Sequence, residues 1–162
     1  MDNYSVLYQS AASLIPQESK VVELGCGAGK FANEFIKGKF KTYVGFDIDE
    51  EAVKKASENS LLKFSVADIT HLQFFEPGFT FVALEVFEHL SGSDDLRLLG
   101  QLVKGTRVIF SVPSFDAADH KIFWPGESDA IEYYEDTLDI DFWRKIRIPT
   151  GGGYFHLMRG YR

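Results

Sequence analysis

Three observations predict an α/β fold built on a doubly wound, mostly parallel sheet. Short β-branched and aromatic runs alternate with segments of helical period along most of the chain. The first run leads straight into Gly25-Cys26-Gly27-Ala28-Gly29, a strand-to-helix turn. The last two runs are joined by Pro149-Thr150-Gly151-Gly152-Gly153, which suits a hairpin and not a crossover. Five β/α units and a closing antiparallel pair give seven strands, and right-handed crossovers place helices on both faces. The C-terminal hairpin should set an antiparallel strand at or near one edge.

The elements follow in order. Val6, Leu7, Ala11, Leu14 and Ile15 fall near one face of an opening helix that Pro16 stops. Lys20–Leu24 reads as a buried strand. The helix after the glycine turn should bury Phe31, Phe35 and Ile36 and end near Gly38. Lys41–Phe46 is a second strand closing on Asp47, and its helix carries Ala52, Val53 and Ala56 on one side. Leu62–Val66 closes on Ala67-Asp68-Ile69, and Phe79–Leu84 on Glu85-Val86-Phe87-Glu88-His89. Ser93 can cap a helix bearing Leu96, Leu99, Leu102 and Val103, with Gly105 beyond its end. Arg107–Val112 stops at Pro113, a helix covers about Asp129–Leu138, and Ile140–Ile148 and Tyr154–Tyr161 form the hairpin.

With 162 residues the chain is expected to form one domain. Within it, residues 1–16 are the N-terminal helix, 20–113 a ligand-binding core, and 114–162 a loop, helix and closing hairpin. An apolar fraction of 45% beside 25% charged residues excludes a disordered body. Cys26 is the only cysteine, which excludes an intrachain disulfide and a thiolate metal cage. Neither a leader sequence nor an 18-residue apolar run is present, so the expectation is a cytoplasmic protein without a membrane anchor. The sequon Asn3-Tyr4-Ser5 then reads as chance. A net charge of −7 disfavours a broad nucleic-acid footprint. Residues 141–162 nevertheless carry a local +4, read as a strand edge guarded by Arg and Lys or as a small basic edge.

Ligands of open α/β sheets sit at the carboxyl ends of the strands, which selects the glycine turn, Asp47, Asp68 and Glu85–His89. Glycines there let the backbone turn tightly and approach a ligand, although such a turn can also serve packing alone. A P-loop fails, because Gly29-Lys30 is followed by Phe31 and Leu24 stands where its first glycine belongs. A dinucleotide fingerprint fits poorly, since its last glycine comes one residue early and Lys30 takes that place.

Val21-Val22-Glu23-Leu24-Gly25-Cys26-Gly27-Ala28-Gly29 resembles motif I of the class I S-adenosylmethionine-dependent methyltransferases. Val44-Gly45-Phe46-Asp47-Ile48-Asp49, Ala67-Asp68-Ile69, Phe81–Leu90 and Val108–Pro113 are similar to that family's later motifs, in the right order. The resemblance implies S-adenosylmethionine as cofactor. The turn around Gly25, Cys26, Gly27 and Gly29, with Glu23 and Glu85 beside it, would take the methionine end. Asp47 would accept the ribose hydroxyls, Ile48 would wall the adenine, and Asp68 with Ile69 would meet the adenine edge. Asp47 has an N-cap or turn role as its lesser alternative, and Asp68 can equally be a turn residue.

Methyl transfer needs an aligned acceptor and, where that acceptor carries a proton, a base. Glu85, Glu88 and His89 share one face if they leave the strand as a helical turn. His89, with Glu88 and His120, is therefore the expected catalytic group. The same element resembles the Glu-x-x-Glu-His of metal-dependent O-methyltransferases, which implies Glu85, Glu88, His89 and His120 as ligands of a divalent metal, with His156 as a second choice. Capping of the following turn by Glu88 and His89 is the plain alternative. Trp124, Phe123, Tyr133 and Tyr134 can line an acceptor pocket or pack beneath the long loop.

The expected activity is methyl transfer to an oxygen or nitrogen of a small molecule. Three alternatives remain at this stage: a metal-dependent RNA-terminal 2′-O-methyltransferase, a non-catalytic protein that keeps the fold and serves a partner, and a nicotinamide-dependent oxidoreductase. A partner protein or a second copy of the chain is compatible with each.

Overall fold

The computed structural model describes residues 4–58, 60–74, 76–149 and 152–162. Asn3 of the sequon and Thr150-Gly151 of the expected turn lie outside them. One seven-stranded sheet runs in the order β3-β2-β1-β4-β5-β7-β6. Its strands are β1 Ser19–Leu24, β2 Phe40–Asp47, β3 Lys63–Val66, β4 Phe79–Leu84, β5 Arg107–Pro113, β6 Asp139–Arg147 and β7 Tyr154–Tyr161. β1 to β5 are parallel, β7 is antiparallel to β5, and β6 pairs antiparallel with β7 at the edge. The expected doubly wound sheet with a closing hairpin is the observed one.

Each face of the sheet carries its own core. Helix α1 (Ser5–Leu14) sets Leu7, Ala11 and Ala12 against Val21, Val82, Ile109 and Leu157, with Phe31, Ala32 and Ile36 beside them. Val6, expected near that face, is 41% exposed. Helix α2 (Glu50–Glu58) turns Val53 and Ala56 inward beside β2 and β3. Helices α3 (Asp94–Gly100) and α4 (Glu127–Tyr134) cover the other face, where Leu98, Leu99, Ala130 and Tyr134 meet Phe81, Phe110 and Met158. Asp95 ties these two helices together by accepting the Tyr134 hydroxyl at 2.9 Å.

Three helical boundaries differ from expectation for local reasons. After the glycine turn the chain makes a five-residue π-helical turn, Phe31–Phe35, closed by Ile36 N–H on the Phe31 carbonyl at 3.3 Å. That wide turn still buries Phe31 and Ile36. α3 stops at Gly100, where Gln101 and Leu102 tighten to bonds three residues back on Leu98 and Leu99. Ser93 occupies its N-cap position without a side-chain bond to the helix. α4 starts before Asp129, because that carboxylate reaches back to Gly126 N–H at 2.8 Å.

Candidate active site

A cavity of about 480 Å³ opens at the carboxyl tips of β1 to β4. Its walls include Gly25, Asp47, Ile48, Asp68, Ile69, Glu85 and His89, each singled out from the sequence. Ala67, Val86 and Leu90, which stood in the sequence motifs without a role of their own, complete it together with Thr70, Ser91 and Asp94, which carried no sequence signal. Asp47, Asp68, Glu85 and Asp94 bring carboxyl groups to a wall that holds no Lys or Arg among its lining residues.

Gly25 must be glycine for two reasons. Its φ is +68°, and a Cβ there would stand 2.5 Å from Cγ2 of Val86. The turn is stitched to the protein by its own amides. Cys26 N–H donates to the Phe46 carbonyl, Gly29 N–H to the Cys26 carbonyl, and Gly27 N–H to Asp47 Oδ2 at 2.7 Å. These three amides are therefore committed internally, which narrows the anion-binding role expected of the turn. Asp47 Oδ1 also accepts Asp49 N–H at 2.9 Å. Asp47 is thus held at the cavity from both sides, and the cap of α2 is Asp49, which accepts Glu51 and Ala52 N–H.

Asp68 lines the cavity and also caps a short 3-10 turn, Ile69–His71. Thr70 donates to its Oδ1 from the backbone at 2.9 Å and from the hydroxyl at 2.7 Å, which holds the carboxyl below its usual range. Ile48 is 70% exposed at the rim, an apolar surface left open to a ligand.

Glu23 and Cys26 do not line the cavity. Strand alternation turns Glu23 beneath the glycine turn at 4% exposure, where the Tyr43 hydroxyl donates to Oε2 at 2.5 Å. Burial pushes the Glu23 carboxyl up to about 8 and the Cys26 thiol up to about 12. The Glu23 side chain therefore stands outside the cavity wall, and a buried thiol so hard to ionise is no nucleophile.

Glu85, Glu88 and His89, grouped by their spacing, and His120, implied by the resemblance, come together next to the cavity. Phe87–His89 forms a 3-10 turn that buries Glu88 to 1% exposure. Donor atoms of Glu88, His89 and His120 lie within 4.8 Å of one another, close enough to share a cation. Glu85 is drawn out of that set, because Ser111 Oγ donates to its Oε1 at 2.7 Å. His89 Nδ1 faces the Asp119 carbonyl and His120 Nδ1 the Phe115 carbonyl, both at 3.2 Å. A carbonyl only accepts, so each ring donates from Nδ1 and, in its neutral tautomer, would present Nε2 as a base. The rings meet edge to face at 5.3 Å, and His89 Nε2 stands 3.8 Å from Glu88 Oε1.

His156 is elsewhere. It is fully buried between the Trp143 indole N–H and the Trp124 carbonyl, a structural tie far better satisfied than a metal ligand. Trp124 and Tyr134 belong to the core, with Tyr133 packed on both, so this cluster packs under the loop instead of lining the cavity. Phe123 is partly exposed outside the cavity wall. Ser111 was missed from the sequence, although a lone serine inside the apolar run Arg107–Pro113 was its available signal.

Among solved structures, the N-methyltransferase NodS of Bradyrhizobium japonicum, bound to S-adenosyl-l-homocysteine, is 17% identical over 99% of this chain and 88% of that one, with a TM-score of 0.79. The [4+2]-cyclase SpnF is 12% identical over 97% of this chain and 80% of its own, also at 0.79. The partner of a methyltransferase activator in a complex from Haloferax volcanii is 16% identical over 98% of this chain and 89% of its own, at 0.75. No curated protein sequence matches the chain. Among the described residues no helix is long and apolar enough to cross a membrane. A family profile described as "Methyltransferase domain" matches residues 21–107. That stretch is more than half of the chain and contains every residue that walls the cavity, so the chain belongs to the methyltransferase domain family.

Proposed function

We propose that this protein transfers a methyl group from S-adenosylmethionine to an oxygen or nitrogen of a small-molecule acceptor. The observation that carries the reading is the cavity wall, where Asp47, Asp68 and Glu85 stand with no Lys or Arg among the lining residues and Asp94 is paired with Arg97 at 2.8 Å. Carboxylates favour a cationic sulfonium nucleoside and repel the pyrophosphate of a dinucleotide. Bound there, S-adenosylmethionine supplies a methyl group already activated on sulfur.

The chain's own residues then have defined work. Asp47, held by the amides of Gly27 and Asp49, keeps lone pairs for the two ribose hydroxyls. Ile48 covers the adenine, and Asp68 with Ile69 meets its polar edge. Nε2 of His89 or His120 takes the acceptor proton, and Glu88 beside His89 stabilises the imidazolium that results. The described residues form one sheet with its covering helices and no inserted recognition unit. Such an architecture supports either a shallow acceptor site or presentation of the acceptor by a partner chain, and residues 1–162 are read as one unit.

Parallel calorimetric titrations with S-adenosylmethionine, S-adenosylhomocysteine and NAD test this. Saturable binding of the two sulfur nucleosides but not NAD is expected, followed by acceptor screening with and without a divalent cation. Binding of NAD alone would replace the reading with an oxidoreductase, and binding of none would remove the catalytic claim.

A further inference from the structure

Strand β6 is the longest in the sheet and lies at its edge, paired with β7 alone. Ile148 N–H donates to the Gly153 carbonyl at 3.2 Å, just beyond the strand. Antiparallel pairing alternates from there, so Phe142, Arg144 and Ile146 turn their backbone groups to β7. Those of Trp143, Lys145 and Arg147 point to the open edge, which offers three donors and three acceptors to another strand. A bulge between Ile140 and Phe142 ends this stretch, and the register is regular from Phe142 to Arg147.

Positive charge gathers on the same stretch. The chain carries −7, yet residues 141–162 carry +4. Arg144, Lys145 and Arg147 are exposed, and none of them forms an ion pair with a described residue. Two are held by aromatic faces. Lys145 Nζ stands 3.8 Å from the Tyr154 ring centroid, and the Arg144 guanidinium 5.5 Å from that of Phe142. Tyr154 is itself fixed, its hydroxyl donating to the Pro125 carbonyl at 2.7 Å. Strand alternation sets Lys145 and Arg147 on one face of the edge, and half-buried Phe142 and Ile148 with Arg144 on the other.

We propose that the β6 edge is a docking site for an extended segment of a partner protein in which acidic and apolar residues alternate. Backbone pairing holds the segment, and its side chains give the specificity. Acidic residues meet Lys145 and Arg147 on one face, while apolar residues cover Phe142 and Ile148 on the other. A second copy of this chain is a poor occupant, because its own β6 brings the same cations opposite. β6 is antiparallel to β7 and β7 to β5, so the Arg147 end lies at the carboxyl end of the parallel strands. A docked segment therefore reaches the end of the sheet that holds the cavity.

Fluorescence anisotropy with the full chain tests this, using a labelled decapeptide of alternating glutamate and valine. Controls are the lysine–valine counterpart, a block peptide with all glutamates before all valines, and an oligouridylate. The alternating acidic peptide should bind saturably and weaken about tenfold between about 0.05 and about 0.5 M salt. The block peptide should bind at least about tenfold more weakly, and the lysine peptide not at all. Arg144→Glu/Lys145→Glu/Arg147→Glu should abolish binding. Lys145 N–H points outward, so Lys145→Pro removes an edge donor and no ladder bond. It should bind about fivefold more weakly than Lys145→Ala, which loses the charge alone. Should the proline variant fail to fold, the block peptide still separates strand pairing from charge attraction. Equal binding of the block and alternating peptides, or tighter binding of the oligouridylate, overturns the proposal. So does absence of acidic-peptide binding to folded wild type, and self-association of Arg144→Thr/Lys145→Thr/Arg147→Thr would then assign the charges to edge protection.

Discussion

Asp47 ties down the glycine turn and, in the proposed reading, holds the ribose with the same carboxylate. Each oxygen accepts one backbone amide, from Gly27 or Asp49, which leaves each a further lone pair on a residue that lines the cavity. Asp47→Ala should weaken S-adenosylmethionine binding by about 1–3 kcal/mol, the usual cost of losing charge-assisted hydrogen bonds. Unchanged calorimetric affinity in a folded variant would remove the ribose role. His120 supports a contrasting expectation, because its Nε2 stands free for a proton while its ring is absent from the cavity wall. His120→Ala should leave cofactor affinity within about twofold and slow turnover by on the order of a hundredfold, the scale of a lost general base. Residues at strand tips were legible in the sequence, since their position follows from where an apolar run ends. Asp94 was not, because a role set by a later helix leaves no local pattern, and the lone serine at 111 marked a position without saying which strand tip it bonds. Glu23 shows the opposite failure: motif spacing placed it beside the turn, and only strand alternation reveals that it points underneath.

At the scale of elements, β1, its glycine turn and the tip of β4 behave as one packed unit. Gly25→Ala would combine a left-handed backbone with a 2.5 Å approach to Val86. A loss of about 1–4 kcal/mol in urea denaturation is expected, from strain and overpacking together. Adding Val86→Ala to the same chain should recover part of it, since the two sites share the clash. Full additivity of the two single variants would show that the clash is not the cause. Strand limits were readable within a residue or two, because β-branched runs bounded by glycine, proline and acidic residues have no helical alternative. Helix limits were less so. Phe31, Phe35 and Ile36 fit an α-helical face, yet five residues between the turn and Gly38 close in a π-helical turn that buries Phe31 and Ile36 and leaves Phe35 half-buried. Tertiary burial, which periodicity cannot see, decided between the two.

Over the whole molecule, the buried ionisable groups set how stability responds to pH. Burial raises the carboxyls of Glu23, Glu85, Glu88 and Asp95, and Glu23 reaches about 8 from 4.5. A raised acid binds its proton more tightly in the folded state, so its contribution is complete below pH 4.5 and is lost as pH climbs through 8. On the acid side the signs reverse. Burial lowers His156, so the unfolded chain gains protons first as pH falls below 6.5. Asp141, paired with Nε and Nη2 of Arg159 at 2.8 Å each, is lowered too, and its small surface contribution fades as it protonates. Between pH 4.5 and 8 the raised carboxyls outnumber the one lowered histidine, so stability should decline from weakly acid toward alkaline pH. Thermal unfolding followed from pH 5 to 9 should show Tm falling by several degrees between pH 6 and 8.5. Glu23→Gln keeps an acceptor for the Tyr43 hydroxyl and removes the group that must ionise. Its alkaline limb should be visibly flatter than that of the wild type, and a limb of equal slope would place the cost of alkaline pH on the other buried carboxyls.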